Sequence, residues 1–222
     1  MGTWLINLLL ERCLRMKTPD IRLYKNDLPD GLEFSGAIAV DSEAMGLNPH
    51  RDRLCVVQLS DGDEVCHLVQ IEQGVTQAPN LQRLMENDDV VKIFHYARFD
   101  VMLLKQALGI RVNPVYCTKI ASRLARTYTD RHSYKACCLE LVGVQISKEQ
   151  QSSNWGAVEL SEEQLVYAAT DVLYLHTIRE KLDEILVSEG RMDMAQACFD
   201  FLHTRTDLDL EGWLDQDIFA HA

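Results

Sequence analysis

The first half of the chain is organised as short apolar runs separated by polar, turn-forming residues. Runs of this length, rich in Val, Ile and Leu and bounded by turn residues, are typical of β-strands. The segments 46–49 and 61–63 contain Gly, Asn, Pro or Asp, and they favour an antiparallel meander of the first three strands. The predicted strands cover residues 37–40, 54–59, 64–69, 90–94 and 115–117.

Helical periodicity dominates from residue 80 onwards. The longest apolar stripe, residues 162–187, begins at Ser161, which forms a capping box with Gln164, and Gly190 follows its end. Strands followed by amphipathic helices predict an α/β domain with a mixed sheet flanked by helices. The predicted helices cover residues 80–86, 99–108, 118–126, 134–141, 162–187 and 192–201.

The composition fits one globular domain. The chain has 222 residues, of which 47% are hydrophobic. It has no apolar run of the length that a membrane span needs. Its seven cysteines form no Cys-x-x-Cys pair. Several of them lie in apolar runs, which favours reduced thiols and a cytoplasmic location.

The first residues do not fit the rest of the chain. Within residues 1–17, an apolar patch precedes the basic residues, which is the wrong order for a secretory signal. A misplaced start codon or a short helix that packs on a partner would explain the segment. We therefore expect an N-terminal extension over residues 1–18 and a catalytic domain over residues 19–222.

The charge distribution is uneven. The formal net charge is −12, which is unusual for a protein that binds phosphates. Residues 111–135, however, contain six basic residues and one acid, whereas residues 180–222 contain eleven acids and three basic residues. The basic stretch is either a solvated face or a phosphate-contacting patch. An acidic protein with one such patch favours short substrates over long duplexes.

Three acidic motifs carry the candidate chemistry. Asp41 and Glu43 follow an apolar strand and share one face of it, because strand side chains alternate. Tyr167 and Asp171 are four apart on a predicted helix and also share a face. Each motif alone is compatible with a turn or a surface position. Together with Asp100, four converging carboxylates would need cations between them, and hard oxygen ligands suit Mg²⁺ or Mn²⁺.

In this order and with these neighbours, the motifs resemble the tyrosine-containing branch of the DEDD superfamily of 3′–5′ exonucleases. Residues 54–59 look like the second strand of ribonuclease D, and 154–175 look like the run into its third exonuclease motif. Residues 50–58, 117–122, 126–132 and 217–221 resemble the stand-alone alphaproteobacterial type called nanoRNase C. The resemblance spans about residues 21–222 and implies a ribonuclease H-like fold.

The resemblance also implies a mechanism. Asp41, Glu43, Asp100 and Asp171 would bind two divalent cations, Mg²⁺ or Mn²⁺, with Asp41 as the bridging ligand. Tyr167 would orient or deprotonate the attacking water. The expected activity is 3′–5′ hydrolysis of very short RNA, down to dinucleotides, to nucleoside 5′-monophosphates. The resemblance further implies a homo-oligomer, such as a ring-shaped octamer.

Several residues are candidates for contact with the substrate. Leu47, with Met45 beside it, could wedge between the terminal bases or could pack on the core. His95 could touch a ribose or be a core group, and Trp155 could stack on a base or be core. Arg98 could steady a metal ligand or a phosphate, and a loop before Trp155 could contact sugar or phosphate. The remaining candidates are the loop residues Gln151 and Ser152, and Lys119 and Arg131 as contacts for a 5′ phosphate held by a neighbouring subunit.

Two departures from the family pattern stand out. Asn154 replaces a common aspartate, and Ser42 and Ala44 replace residues that are more often threonine. None of these is an expected metal ligand, so we expect activity to survive. Two other functions stay open at this point. One is trimming of tRNA or other 3′ ends of RNA or DNA, and the other is a catalytically silent nucleic-acid-binding module.

Overall fold

The computed structural model describes residues 19–147 and 149–221. Within them, six strands form one mixed sheet in the order β1-β4-β3-β2-β5-β6. β2, β3 and β4 pair antiparallel, as the turns predict, whereas β1 pairs parallel with β4, and β5 pairs parallel with β2 and β6. The strands are β1 (Asp20–Lys25), β2 (Gly36–Ala44), β3 (Leu54–Ser60), β4 (Val65–Gln70), β5 (Val90–Phe94) and β6 (Val115–Cys117).

Eight α-helices and two single π-helical turns, Cys138–Val142 and Asp209–Trp213, complete the described residues. Helix α5 packs on β2, β3 and β4, and α2 packs on β3, β5 and β6. The helices are α1 (Pro79–Met85), α2 (Ala97–Leu108), α3 (Thr118–Ala125), α4 (Tyr134–Cys137), α5 (Glu162–Leu173), α6 (Leu175–Ser188), α7 (Met192–Asp200) and α8 (Leu202–Leu208).

The predicted mixed sheet flanked by helices is confirmed, with some differences in the elements. β1 and α8 were not predicted, since both are short and at least half of their residues are polar. The predicted helix 162–187 is two helices that meet at Tyr174, whose ψ of 0° departs from helical geometry. The predicted strand 37–40 continues to Ala44 and therefore includes the first acidic motif.

The core has two parts. A large cluster fills the space between the sheet and most of the helices. A smaller cluster lies under α5, where Val56 and Leu68 of the sheet contact Trp155 and Ala168. In the described part of the chain, no helix combines the length and the apolarity that crossing a bilayer requires. The predicted extension over residues 1–18 lies outside the described residues.

Candidate active site

Strand β2 presents the first two carboxylates. Asp41 and Glu43 lie opposite Gln58 and Val56 of β3, so both side chains are on the sheet face that α5 covers. The register shifts between Glu43 and Ala44, and the chain then leaves the sheet toward Leu47. The strand therefore ends at the edge of a cavity instead of in the core.

Helix α5 brings the third carboxylate to this face. Its N-terminus is fixed by the predicted capping box, in which Ser161 and Gln164 bond each other's backbone N–H. Because α5 packs on β2 and β3, Asp171 reaches the strand carboxylates. One oxygen each from Asp41, Glu43 and Asp171 lie within 4.8 Å of one another. Two motifs that are far apart in sequence thus meet.

Asp100 is placed differently. It lies in the first turn of α2, is 3% exposed and accepts a 2.6 Å hydrogen bond from the Ser42 hydroxyl. It lines the same cavity as the other three carboxylates but is not part of their three-oxygen cluster. Ser42, which departs from the common threonine, therefore provides the hydroxyl that joins β2 to α2.

Burial and neighbouring carboxylates disfavour the ionisation of Asp41, Glu43 and Asp100. Burial, followed by the charges of Asp171 and Asp100, raises the pKa of Glu43 to about 9. Burial also raises the pKa of Asp100 to about 7, against the opposing hydrogen bond from Ser42. The pKa of Asp41 is raised by burial and then by its three acidic neighbours. A divalent cation would remove this repulsion, and the all-oxygen donor set fits Mg²⁺ or Mn²⁺.

Tyr167 lies one helical turn before Asp171. Its side chain hydrogen-bonds to Asp171, and its ring centroid is 6.0 Å from that of Trp155. Burial, and then the charges of Asp171, Glu43 and Asp41, raise the pKa of its hydroxyl. The phenol is therefore protonated in the metal-free chain, which favours orientation of a water over its deprotonation.

The carboxylates open into a cavity of about 690 Å³. Leu47 at its edge is 80% exposed, and Met45 is 51% exposed, so neither side chain is a core residue. Their exposure is compatible with the predicted wedge, which stays a prediction. The candidates that line this cavity are Met45, Leu47, His95, Lys119, Gln151 and Ser152.

Three candidates, Arg98, Trp155 and Arg131, do not line this cavity. The Arg98 guanidinium binds Asp209 near the C-terminus instead of a metal ligand or a substrate phosphate. Trp155 is 1% exposed and packs in the core, so it offers no face to a base. Arg131 is half-exposed, pairs with Glu140 and does not line the cavity of its own chain. Its contact with a substrate bound by a neighbouring subunit stays a prediction.

The structure adds cavity residues that the sequence did not single out. The Tyr134 hydroxyl donates to the backbone carbonyl of Thr170 at 2.9 Å, directly before Asp171. His95 bonds the Thr118 hydroxyl through Nδ1 at 2.9 Å, and its ring contacts that of Tyr134. Tyr134 lies on a four-residue helix that carries no recognisable motif. Its position in the cavity could therefore be found only from its tertiary contacts.

The structure also shows a contact between Tyr96 and the predicted candidate Lys119. Tyr96 has a left-handed backbone with a φ of 78° immediately before α2. The Lys119 ammonium lies 4.2 Å from the centroid of its ring, a cation–π contact. Both residues line the cavity together with Lys135. Two lysines thus give an otherwise acidic cavity a cationic side.

A mixed sheet with three clustered carboxylates, a fourth beside them and an adjacent tyrosine defines the class of metal-dependent phosphodiesterases. Comparison with known proteins makes the class more specific. The model of the 3′–5′ exonuclease family matches residues 25–187, and the chain therefore belongs to this family. The predicted resemblance to ribonuclease D-like exonucleases and nanoRNase C, and the ribonuclease H-like fold, are confirmed.

Two groups of relatives are informative. Ribonuclease D of Gluconacetobacter diazotrophicus is 35% identical over 156 residues, which are 70% of this chain and 39% of that protein. The chain thus spans about two fifths of such relatives. NrnC of Brucella melitensis bound to pGG is 53% identical, with a TM-score of 0.88 over 92% of this chain and 100% of that one. NrnC with bound Mg²⁺ is 53% identical, with a TM-score of 0.86 over 91% of this chain and 99% of that one.

Proposed function

We propose that the protein is a metal-dependent 3′–5′ exoribonuclease that hydrolyses very short RNA, down to dinucleotides. The main support is the cluster of Asp41, Glu43 and Asp171 oxygens within 4.8 Å, at the base of a cavity with an exposed Leu47 at its edge. A relative that shares 53% of its residues was solved with pGG, a dinucleotide. A cavity of this volume suits a few nucleotides better than a folded RNA.

In the proposed reaction, the carboxylates of Asp41, Glu43, Asp100 and Asp171 would hold two divalent cations, Mg²⁺ or Mn²⁺. Such ions lower the pKa of a bound water and stabilise the departing oxygen. The Tyr167 hydroxyl donates a hydrogen bond to the attacking water and fixes the direction from which this water approaches the phosphorus. The water oxygen bonds to the phosphorus, the P–O3′ bond breaks, and the proton that the water loses balances the one that the departing O3′ gains. The products are the nucleoside 5′-monophosphate and an RNA shortened by one residue, with a free 3′ hydroxyl.

Substrate length would be measured by two features of the cavity. Leu47 would pack between the terminal bases, because it is apolar and exposed at the cavity edge. Lys119 and Lys135 would attract the phosphates, since they provide the positive charge of the cavity lining. His95, Gln151 and Ser152 would contact ribose and phosphate oxygens.

A second activity is trimming of longer RNA 3′ ends, favoured by the 35% identity to ribonuclease D. One assay separates the two. 5′-Labelled RNAs from a dinucleotide to a tRNA with an extended 3′ end are incubated with Mg²⁺ or Mn²⁺. The proposed function requires the fastest turnover for dinucleotides, and the Asp171→Ala variant serves as the inactive control. Faster trimming of the tRNA than of dinucleotides would reverse the order of the two proposals.

We also propose that the catalytic domain extends over residues 19–222 and that residues 1–18 are an extension.

We further propose that the protein forms a homo-oligomer such as an octameric ring. The C-terminal region carries the exposed apolar residues Trp213, Leu214, Ile218 and Phe219, which a neighbouring subunit would cover. Within the described residues no cysteine forms a disulfide and five of the six are buried, which suits a reducing cytoplasm. Light scattering coupled to size exclusion tests the oligomer.

A further inference from the structure

Gln58 of β3 is a buried amide that the site described so far does not use. Its side chain is completely buried, yet within the described residues neither Nε2 nor Oε1 has a hydrogen-bond partner. Unpartnered buried amides are rare, because burial removes the hydrogen bonds that water would supply. A second buried donor, Trp155 Nε1, also has no partner within the described residues.

The position of Gln58 in the sheet places it beside the candidate metal ligands. It lies directly opposite Asp41 of β2 and directly opposite Leu68 of β4. Directly opposed residues project to the same sheet face, with Cβ atoms about 4.5–5.5 Å apart. Leu68, Trp155 and Ala168 of α5 belong to one buried cluster, so the Gln58 amide, the Trp155 side chain and the Asp41 carboxylate all lie on the sheet face that α5 covers.

Asp41 is one of the three carboxylates whose oxygens lie within 4.8 Å of one another. Asp100, by comparison, receives the Ser42 hydroxyl at 2.6 Å. Carboxylates that bind metals are in turn held by hydrogen bonds from surrounding groups. Gln58 is the buried donor that lies across the strand from Asp41.

We propose that Gln58 is a positioning residue, whose amide holds the Asp41 carboxylate through one buried water on the α5 face of the sheet. A buried water needs two to four polar partners, and Gln58, Asp41 and Trp155 Nε1 together offer that number. The amide donates through the water to Asp41, which fixes the direction of the carboxylate toward the cavity. This inference rests on the proposed function, in which Asp41 binds a cation.

The test compares Mn²⁺ binding by calorimetry with thermal unfolding of the metal-free protein. Gln58→Met keeps the side-chain volume and removes both polar atoms, and Gln58→Leu is the second variant. Each should weaken Mn²⁺ binding about 10- to 100-fold. Because the amide makes no direct hydrogen bond to a protein atom within the described residues, the midpoint of metal-free unfolding should stay about the same or rise. A residue that only supported the fold would show the opposite pattern.

Gln70→Met is the matched control. Gln70 lies on the neighbouring strand β4, is similarly buried, and its amide is bonded to the Ala157 carbonyl and to Lys25. This variant should unfold at a lower temperature and bind Mn²⁺ normally. Mn²⁺ affinity of Gln58→Met and Gln58→Leu within twofold of the unmodified protein would overturn the role of Gln58.

A crystal structure of the metal-free protein provides a second measurement. It should contain an ordered water within hydrogen-bond distance of both the Gln58 amide and the Asp41 carboxylate. An amide surrounded only by apolar atoms would overturn the water bridge. If the unmodified protein binds Mn²⁺ but leaves RNA intact, the proposed function is wrong, and the comparison of Mn²⁺ affinities still decides the role of Gln58.

Discussion

The guanidinium of Arg98 forms two hydrogen bonds, of 2.6 and 2.7 Å, with the carboxylate of Asp209. Arg98 lies two residues before Asp100, and Asp209 belongs to the π-helical turn near the C-terminus. The Asp209 side chain is fully buried and also binds Arg205 of α8. The C-terminal region is thereby attached to the helix that carries a candidate metal ligand, although the family match ends at residue 187.

Asp209→Ala should destabilise the protein by about 3 kcal/mol, because it leaves two guanidinium groups without their shared carboxylate. Chemical denaturation of the metal-free protein measures this change. The matched control is Asp207→Ala, which removes an exposed pair with Lys105 and should cost less than about 1 kcal/mol. Equal losses for the two variants would show that the Arg98–Asp209 pair does not hold the C-terminal region.

Asp171→Ala and Asp41→Ala should each lower turnover of a dinucleotide by about a thousandfold or more, because several kcal/mol of metal-based stabilisation are lost. Removal of one of the mutually repelling carboxylates should leave metal-free stability unchanged or higher. The exposed acid Asp130 provides the control, as Asp130→Ala should change neither property. Near-normal turnover of either site variant would exclude these ligands.

Tyr167→Phe should lower turnover by about a hundredfold or more while Mn²⁺ affinity stays close to normal. The hydroxyl is expected to orient water without binding the cation. Single-turnover kinetics and calorimetry on the same preparation measure the two effects. Tyr128→Phe, at a 76% exposed position, is the control. A parallel fall of metal affinity and rate would assign Tyr167 a structural role through Asp171 instead.

Lys119→Ala should weaken binding of 5′-phosphorylated dinucleotides about ten- to a hundredfold and have a smaller effect on the same dinucleotides without that phosphate. The reason is the position of the ammonium in the cavity, next to the Tyr96 ring. Arg123→Ala, an exposed cation on the same helix, is the control. If Lys119→Ala affects both dinucleotides equally, the lysine contributes general positive charge and does not recognise the 5′ phosphate.

The stability of the metal-free protein should fall as pH rises from about 4 to about 9. Glu43 and Asp100 have folded-state pKa values of about 9 and about 7, above their ordinary values, so the folded chain binds more protons in this window. Each additional proton gives a slope of about 1.4 kcal/mol per pH unit. With saturating Mg²⁺, stability should instead rise with pH over this window, because the cation takes the place of the protons on the carboxylates.

Thermal unfolding at several pH values, with and without Mg²⁺, measures this dependence. Asp171→Asn should flatten the metal-free profile, since the charge of Asp171 is one cause of the raised Glu43 and Asp100 pKa values. A metal-free protein whose stability rises steadily over the window would contradict the mutual repulsion of the four carboxylates.

The parts of the site that depend on local periodicity could be predicted from the sequence. Alternation along a strand places Asp41 and Glu43 on one face, and the helical repeat places Tyr167 one turn before Asp171. Strands β5 and β6 have the predicted bounds, because their apolar runs end at clear polar boundaries. The order of the motifs was sufficient to indicate the exonuclease family.

Which side chains meet became clear from the folded chain. Arg98 faces Asp209 and not the cavity, Trp155 is buried, and Asp100 lies apart from the three-oxygen cluster. Gln58 became relevant through its register opposite Asp41. These relationships join residues far apart in the chain, and they depend on strand pairing and helix packing. A local pattern contains no information about its distant partner, so Arg98 and Trp155 were each compatible with more than one role and Gln58 with none in particular.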